Sequence, residues 1–220
     1  MRHLLQPRVL NQAALAAAVS ALAAYPAFDL LMRVPGGVPL LEFTIFICTT
    51  VLWGFVFAWH TPYTSRPVFA KPESRLFLAV TALGLVVAVV YAAWLDPIVR
   101  PKLPKEYPAN YPEWFAATLF NLALQQLFLV FAPYDWCLRL TKRHRVAIVF
   151  TMLFAAAVPI MKLHLMNVQL SPALLALMLI MWALGGYLAV TFYLRGGIFL
   201  VCWWALLLQV RLLLYLNTTP

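Results

Sequence analysis

Residues 173–194 read ALLALMLIMWALGGYLAVTFYL and residues 198–216 read IFLVCWWALLLQVRLLLYL, with only Arg195-Gly196-Gly197 between them. A membrane-crossing helix needs about 20 largely apolar residues, and each of these runs supplies that length almost without charge. Glycine tolerates the backbone angles of a tight reversal, so the two runs are expected to be antiparallel neighbours. The side chains are apolar continuously rather than in alternation, which excludes a β-barrel.

Working outward, five more windows have the same character: 10–32, 39–59, 76–95, 113–133 and 146–163. Over the whole chain, 65% of residues are hydrophobic and 10% are charged. A water-soluble domain is about half apolar and one-quarter charged, and 220 residues could not fold that much apolar surface away from water. The expected architecture is all-α: one transmembrane domain over residues 1–220, a polytopic bundle of about seven helices. The first window has a second reading. Arg2 and Arg8 precede the alanine-rich run 13–24, a pattern shared with secretory signals. We read it as a first transmembrane helix.

The net charge of +9 invites a nucleic-acid reading, but the positions of the charges argue against one. With a cytoplasmic N-terminus and seven crossings, Arg2, Arg8, Arg66, Lys71, Arg75, Arg139, Lys142, Arg143, Arg145 and Arg195 lie inside. Arg33, Arg100, Lys102, Lys105 and Lys162 lie outside, among Asp96, Glu106 and Glu113. The excess satisfies the positive-inside rule and provides contacts to anionic headgroups. The expected location is a bacterial inner membrane. The expected partners are lipids and other integral membrane proteins, and nucleic acid is not among them.

Cys48, Cys137 and Cys202 have neither disulfide nor zinc spacing and read as small buried hydrophobes. The longest connecting stretch, Asp96–Pro112, carries Pro97, Pro101, Pro104, Pro108 and Pro112. Proline removes backbone donors, so this segment is expected to be extended, either a stiff connector or a strap for a partner.

Ionisable groups within the spans are a functional hypothesis by default. Asp29, Glu42, Lys162, His164 and Arg211 fall on one side of the topology and form a candidate polar cluster, with Glu42 or Asp29 answering Arg211. The plainer reading is that Arg211 snorkels to the headgroups. No metal-ligand or serine-hydrolase pattern lies in the spans, so neither a metal site nor a catalytic residue is assigned. His60 and Glu42 are 18 residues apart on one helix, about 27 Å at the helical rise, and cannot share a site. In the fourth window Asn121, Gln125 and Gln126 fall at mid-membrane, where amides bond across helices.

At that window the chain resembles the CPBP family of intramembrane proteases (CAAX proteases and bacteriocin-processing enzymes, also called Abi). The run Leu122-Ala-Leu-Gln-Gln-Leu-Phe-Leu-Val130, then Trp136-Cys-Leu-Arg-Leu140, resembles the family's Glu-Glu-x-x-x-Arg helix and the basic loop after it. Phe154 matches a Phe-x-x-x-His segment whose histidine position holds Val158. Leu184-Gly-Gly-Tyr-Leu188 and Tyr193-Leu-Arg-Gly-Gly197 are similar to the family's glycine-tyrosine helix and Leu-Arg-Thr-Gly turn. The final His-x-x-x-Asn helix has no counterpart, with Trp204 or Leu206 in the histidine's place. The resemblance covers residues 113–216.

The resemblance implies hydrolysis by a Glu-activated water, with histidines stabilising the oxyanion. Here Gln125 and Gln126 replace the acids, Val130 replaces the arginine and Val158 replaces a histidine. An amide has no usable basic pKa, and valine cannot donate to an oxyanion. The resemblance therefore implies a degenerate member, a pseudoenzyme serving as accessory, assembly or stabilising subunit of a larger membrane complex, for example an energy-transducing one. Two other readings remain open. One is an active hydrolase with a rearranged site from Glu42, His164 and Asp29. The other is a small-ligand or lipid carrier, which lacks the paired charges and broken midplane helices of transporters. No cofactor is expected, although the aromatic helices leave room for a lipid, quinone or pigment.

Overall fold

The computed structural model describes residues 6–32, 38–165, 167–168 and 170–216. Arg2 and Arg33, which entered the charge tally, lie outside the described residues. Among the described residues every regular element is helical, with no strand. The elements are α1 (Pro7–Ala27), α2 (Val38–Thr64), α3 (Ser74–Val90), α4 (Asp96–Val99), α5 (Tyr111–Phe120), α6 (Ala132–Thr141), α7 (His144–Leu165) and α8 (Pro172–Val210).

Several of these join into longer rods, because their termini pass into π-helical turns rather than loops. The chain is continuously helical over Ser74–Val99 and over Tyr111–Thr141. Among the described residues six stretches are long and apolar enough to cross a membrane, and only 17% to 39% of each most apolar window is buried inside the bundle. Most of the apolar surface therefore faces outward and needs hydrocarbon as its solvent. The chain is an integral membrane protein.

The two windows that open the sequence reading fall in one element, Pro172–Tyr215, which contains a break at Gly197. Gly197 has φ +66°, and a Cβ there would lie 2.6 Å from the Val68 carbonyl oxygen and 2.7 Å from the Ala70 nitrogen. Only glycine meets both demands. The Ile198 N–H donates to the Val68 carbonyl at 3.1 Å. Arg66 closes the first arm by donating to the carbonyls of Leu194 (2.9 Å) and Arg195 (3.3 Å), orphan groups at any helix C-terminus. Both far ends of the element return to the segment after α3. Leu174 and Met178 pack with Val99, Leu103 and Leu163, and Arg211 pairs with Asp96. The two arms thus run back along each other.

The main core joins α1, α2, α6 and both arms of α8 around Leu127, Phe131, Tyr134, Tyr193 and Leu200. Ala13, Ala17, Ala21 and Ala24 are all buried along α1. Small residues at this spacing let two helix backbones approach closely. The Trp53 indole, on α2, donates to Ser20 Oγ at 3.0 Å across this seam.

The proline-rich stretch departs from expectation. Asp96–Val99 continues the α3 rod as a helical turn, Pro104–Glu106 forms a 3-10 turn, and Pro112 sits in the first turn of α5. First turns tolerate proline because its missing N–H has no intrahelical partner there. The segment is docked as a connector: Val99, Leu103 and Tyr107 pack onto Leu163, Leu174 and Met178.

Candidate functional site

Between the Asp96 end and the middle of the bundle lies a cavity of about 1290 Å³. Its wall follows the Tyr111–Thr141 rod from Ala117 to Leu129, about 18 Å at the helical rise. That stretch includes the π-helical turn Asn121–Gln125, and a second such turn, Leu127–Phe131, follows it. π-Turns widen a helix locally and recur at functional sites. Here they turn a tight amide network toward the cavity. Asn121 Nδ2 donates to Gln125 Oε1 at 2.9 Å, and Gln126 Nε2 donates to Asn121 Oδ1 at 3.0 Å. Asn121 and Gln125 line the cavity. These bonds run along one helix, where the sequence suggested bonds between helices.

The other positions carried by the family resemblance lie nearby. Val158 lines the cavity. Phe154 packs its ring 5.5 Å from that of Phe128. Val130 is buried in the main core. The centre thus brings together amides, aliphatic groups and aromatic rings, with no carboxylate or imidazole from these five positions.

The end of the cavity is charged. Arg211 Nε donates to Asp96 Oδ2 at 2.9 Å and Arg211 Nη2 to Oδ1 at 3.4 Å. The side chains are 17% and 2% exposed respectively. Arg211 Nη1 also donates to the Leu208 carbonyl, and its guanidinium lies 5.0 Å from the centre of the Tyr91 ring. Tyr107 Oη donates to Asp96 Oδ1 at 2.9 Å. Burial, and then the Asp96 charge, push the Tyr107 phenol well above its usual range, so it remains a donor at every physiological pH. A second pair, Lys162 Nζ to Glu106 Oε1 at 2.5 Å, is much more open, its side chains 56% and 39% exposed.

The five residues grouped from the sequence are therefore divided. Lys162 and Arg211 both line this cavity, but their acidic partners are Glu106 and Asp96. Asp29 and His164 are exposed and Glu42 is half-buried. Among the described residues no hydrogen bond or ion pair joins Asp29, Glu42 and His164. No group of three metal-ligating side chains is present among the described residues. Cys48 is exposed, Cys202 half-buried and Cys137 buried, all as free thiols.

One polar cluster has no counterpart in the sequence reading. At the opposite end of the bundle, His60 Nδ1 lies 3.1 Å from Asp135 Oδ1, and Tyr193 Oη donates to Asp135 Oδ2 at 2.7 Å. All three residues are at most 1% exposed, and they come from α2, α6 and α8. Next to them Tyr134 Oη lies 2.7 Å from His144 Nδ1. A carboxylate inside an otherwise apolar helix is the signal that points to this cluster. The cavity does not reach these residues. This buried carboxylate–imidazole–phenol set fastens three helices together.

No family model, curated protein or solved structure matches this chain.

Proposed function

We propose that the chain is a non-catalytic, CPBP-like membrane protein that acts by holding other membrane components, as an accessory, assembly or stabilising subunit of a larger complex in a bacterial cytoplasmic membrane. The supporting observation is the chemistry of the cavity's inner half. Where a hydrolase of that family places its base and oxyanion donors, this chain presents Gln125 and Val158, and Gln125 is tied to Asn121. Such a wall binds and orients but cannot activate water.

The topology that fits this role has seven crossings, with the break at Gly197 as a reversal and the N-terminus in the cytoplasm. That orientation puts the end holding Arg66, Lys142 and Arg195 inside and the Asp96–Arg211 end outside. Cysteines introduced at Lys142 and at Lys102 report it by their reaction with an impermeant thiol reagent in intact cells. Lys102 should label and Lys142 should not.

Purification in mild detergent from the native membrane tests the role. The chain should elute with further integral membrane proteins, at a mass well above its own 24.9 kDa. Recovery as a clean monomer under conditions that preserve other complexes would refute it.

A further inference from the structure

We propose that the cavity is a binding site for one phospholipid with a primary-ammonium headgroup, its phosphate held by Lys162 and its ammonium by Glu106. The inference goes beyond the accessory role and does not depend on it, because a chain without any partner would still retain the lipid.

Size and access come first. A drug-sized ligand occupies a pocket of about 300–1,000 Å³, and this cavity is larger, at about 1290 Å³. Ile47, Cys48, Val51 and Phe128 line it and are also exposed on the bundle's flank. The cavity therefore opens sideways, at the level where hydrocarbon surrounds the protein. A molecule arriving by that route must be a membrane amphiphile, with its chains along Leu124, Phe128 and Val158 and its polar head toward Asp96.

The charges then select the head. Asp96 and Arg211 satisfy each other with two bonds, and Tyr107 adds a third. They form a closed, neutral floor. Lys162 and Glu106 are paired across an exposed opening, where an ion pair contributes little and can be exchanged for stronger charge-assisted bonds to a ligand. One cation and one anion at the mouth match a head that carries both signs. A primary ammonium gives Glu106 charge-assisted N–H bonds, whereas a trimethylated head offers its charge without a donor and an uncharged head offers neither.

The test is reconstitution of the full chain into vesicles of equal parts phosphatidylethanolamine, phosphatidylcholine and phosphatidylglycerol. The protein is then re-extracted in mild detergent and weighed by native mass spectrometry. One phosphatidylethanolamine per chain is expected. Glu106→Gln, on an exposed side chain that the fold does not need, should weaken its retention about tenfold, as loss of a charge-assisted bond does. Val51→Trp, which narrows the sideways opening, should lower occupancy while leaving the melting profile unchanged. Equal retention of phosphatidylcholine, preference for phosphatidylglycerol, no retained lipid, or an unaltered Glu106→Gln variant would each overturn the proposal.

Discussion

Asp96 and Arg211 lie 115 residues apart in sequence, so their pairing can be tested by a double-mutant cycle. Both charges are largely withdrawn from water, at 2% and 17% exposure. At an effective dielectric constant of about 20, opposite charges about 4 Å apart attract by about 4 kcal/mol. Removing one member of a buried pair strands the other and costs about 3–5 kcal/mol. Arg211→Gln leaves the Asp96 carboxylate with only the Tyr107 hydroxyl. Asp96→Asn leaves the guanidinium facing a neutral amide. Each is expected to cost about 3 kcal/mol, and the double variant, an amide facing an amide, about the same as either alone. The resulting interaction energy of about 3 kcal/mol is at the top of the range for contacting residues. Unfolding in mixed micelles by increasing denaturing detergent, followed by tryptophan fluorescence, measures all four corners of the cycle. If the two losses simply add, to about 6 kcal/mol, the residues are not coupled and the charged floor of the cavity is misplaced.

His60→Ala strands Asp135, which has 0% exposure, and should cost about 3–5 kcal/mol; Tyr193→Phe, which removes one hydrogen bond, should cost about 1–3 kcal/mol. The same unfolding assay ranks the two. Gly197→Ala forces a left-handed φ and a clash with the Val68 carbonyl, so it should lower stability by more than the 1–2 kcal/mol of the backbone term alone, roughly 2–4 kcal/mol. Gly185→Ala, where an added methyl meets nothing within 4 Å, should gain about 0.5–1 kcal/mol of helix propensity, and the contrast in melting temperature checks both. Gln125→Ala breaks one intramembrane amide bond and should cost only about 0.6 kcal/mol, read by thermal unfolding in the same detergent.

The membrane architecture was legible because it depends on a quantity that each window carries by itself, the length of an uninterrupted apolar run. The reversal at Gly197 was legible for the same reason, since Arg195-Gly196-Gly197 separates two such runs. Pairing was not. Arg211 lies within an apolar run, and its partner could not be read from Glu42, Asp29 or Asp96 without the packing of α3 against the second arm of α8. Asp96 also looked like the first residue of a loop, because the proline after it hides a helical turn. His60 and Asp135 are 75 residues apart on different helices, and an acid within a span signals a buried partner without identifying it. The π-helical turn that brings Gln126, five residues on, within reach of Asn121 leaves no mark in the apolar pattern, because it inserts a residue into the helical period without changing composition.

The account stands on a cavity that holds and does not hydrolyse. The direct test is mass spectrometry of membrane-spanning peptides incubated with the reconstituted chain, compared with protein-free vesicles. The account predicts no new peptide ends. Cleavage products that appear with the wild-type chain and vanish in the Gln125→Ala variant would contradict it.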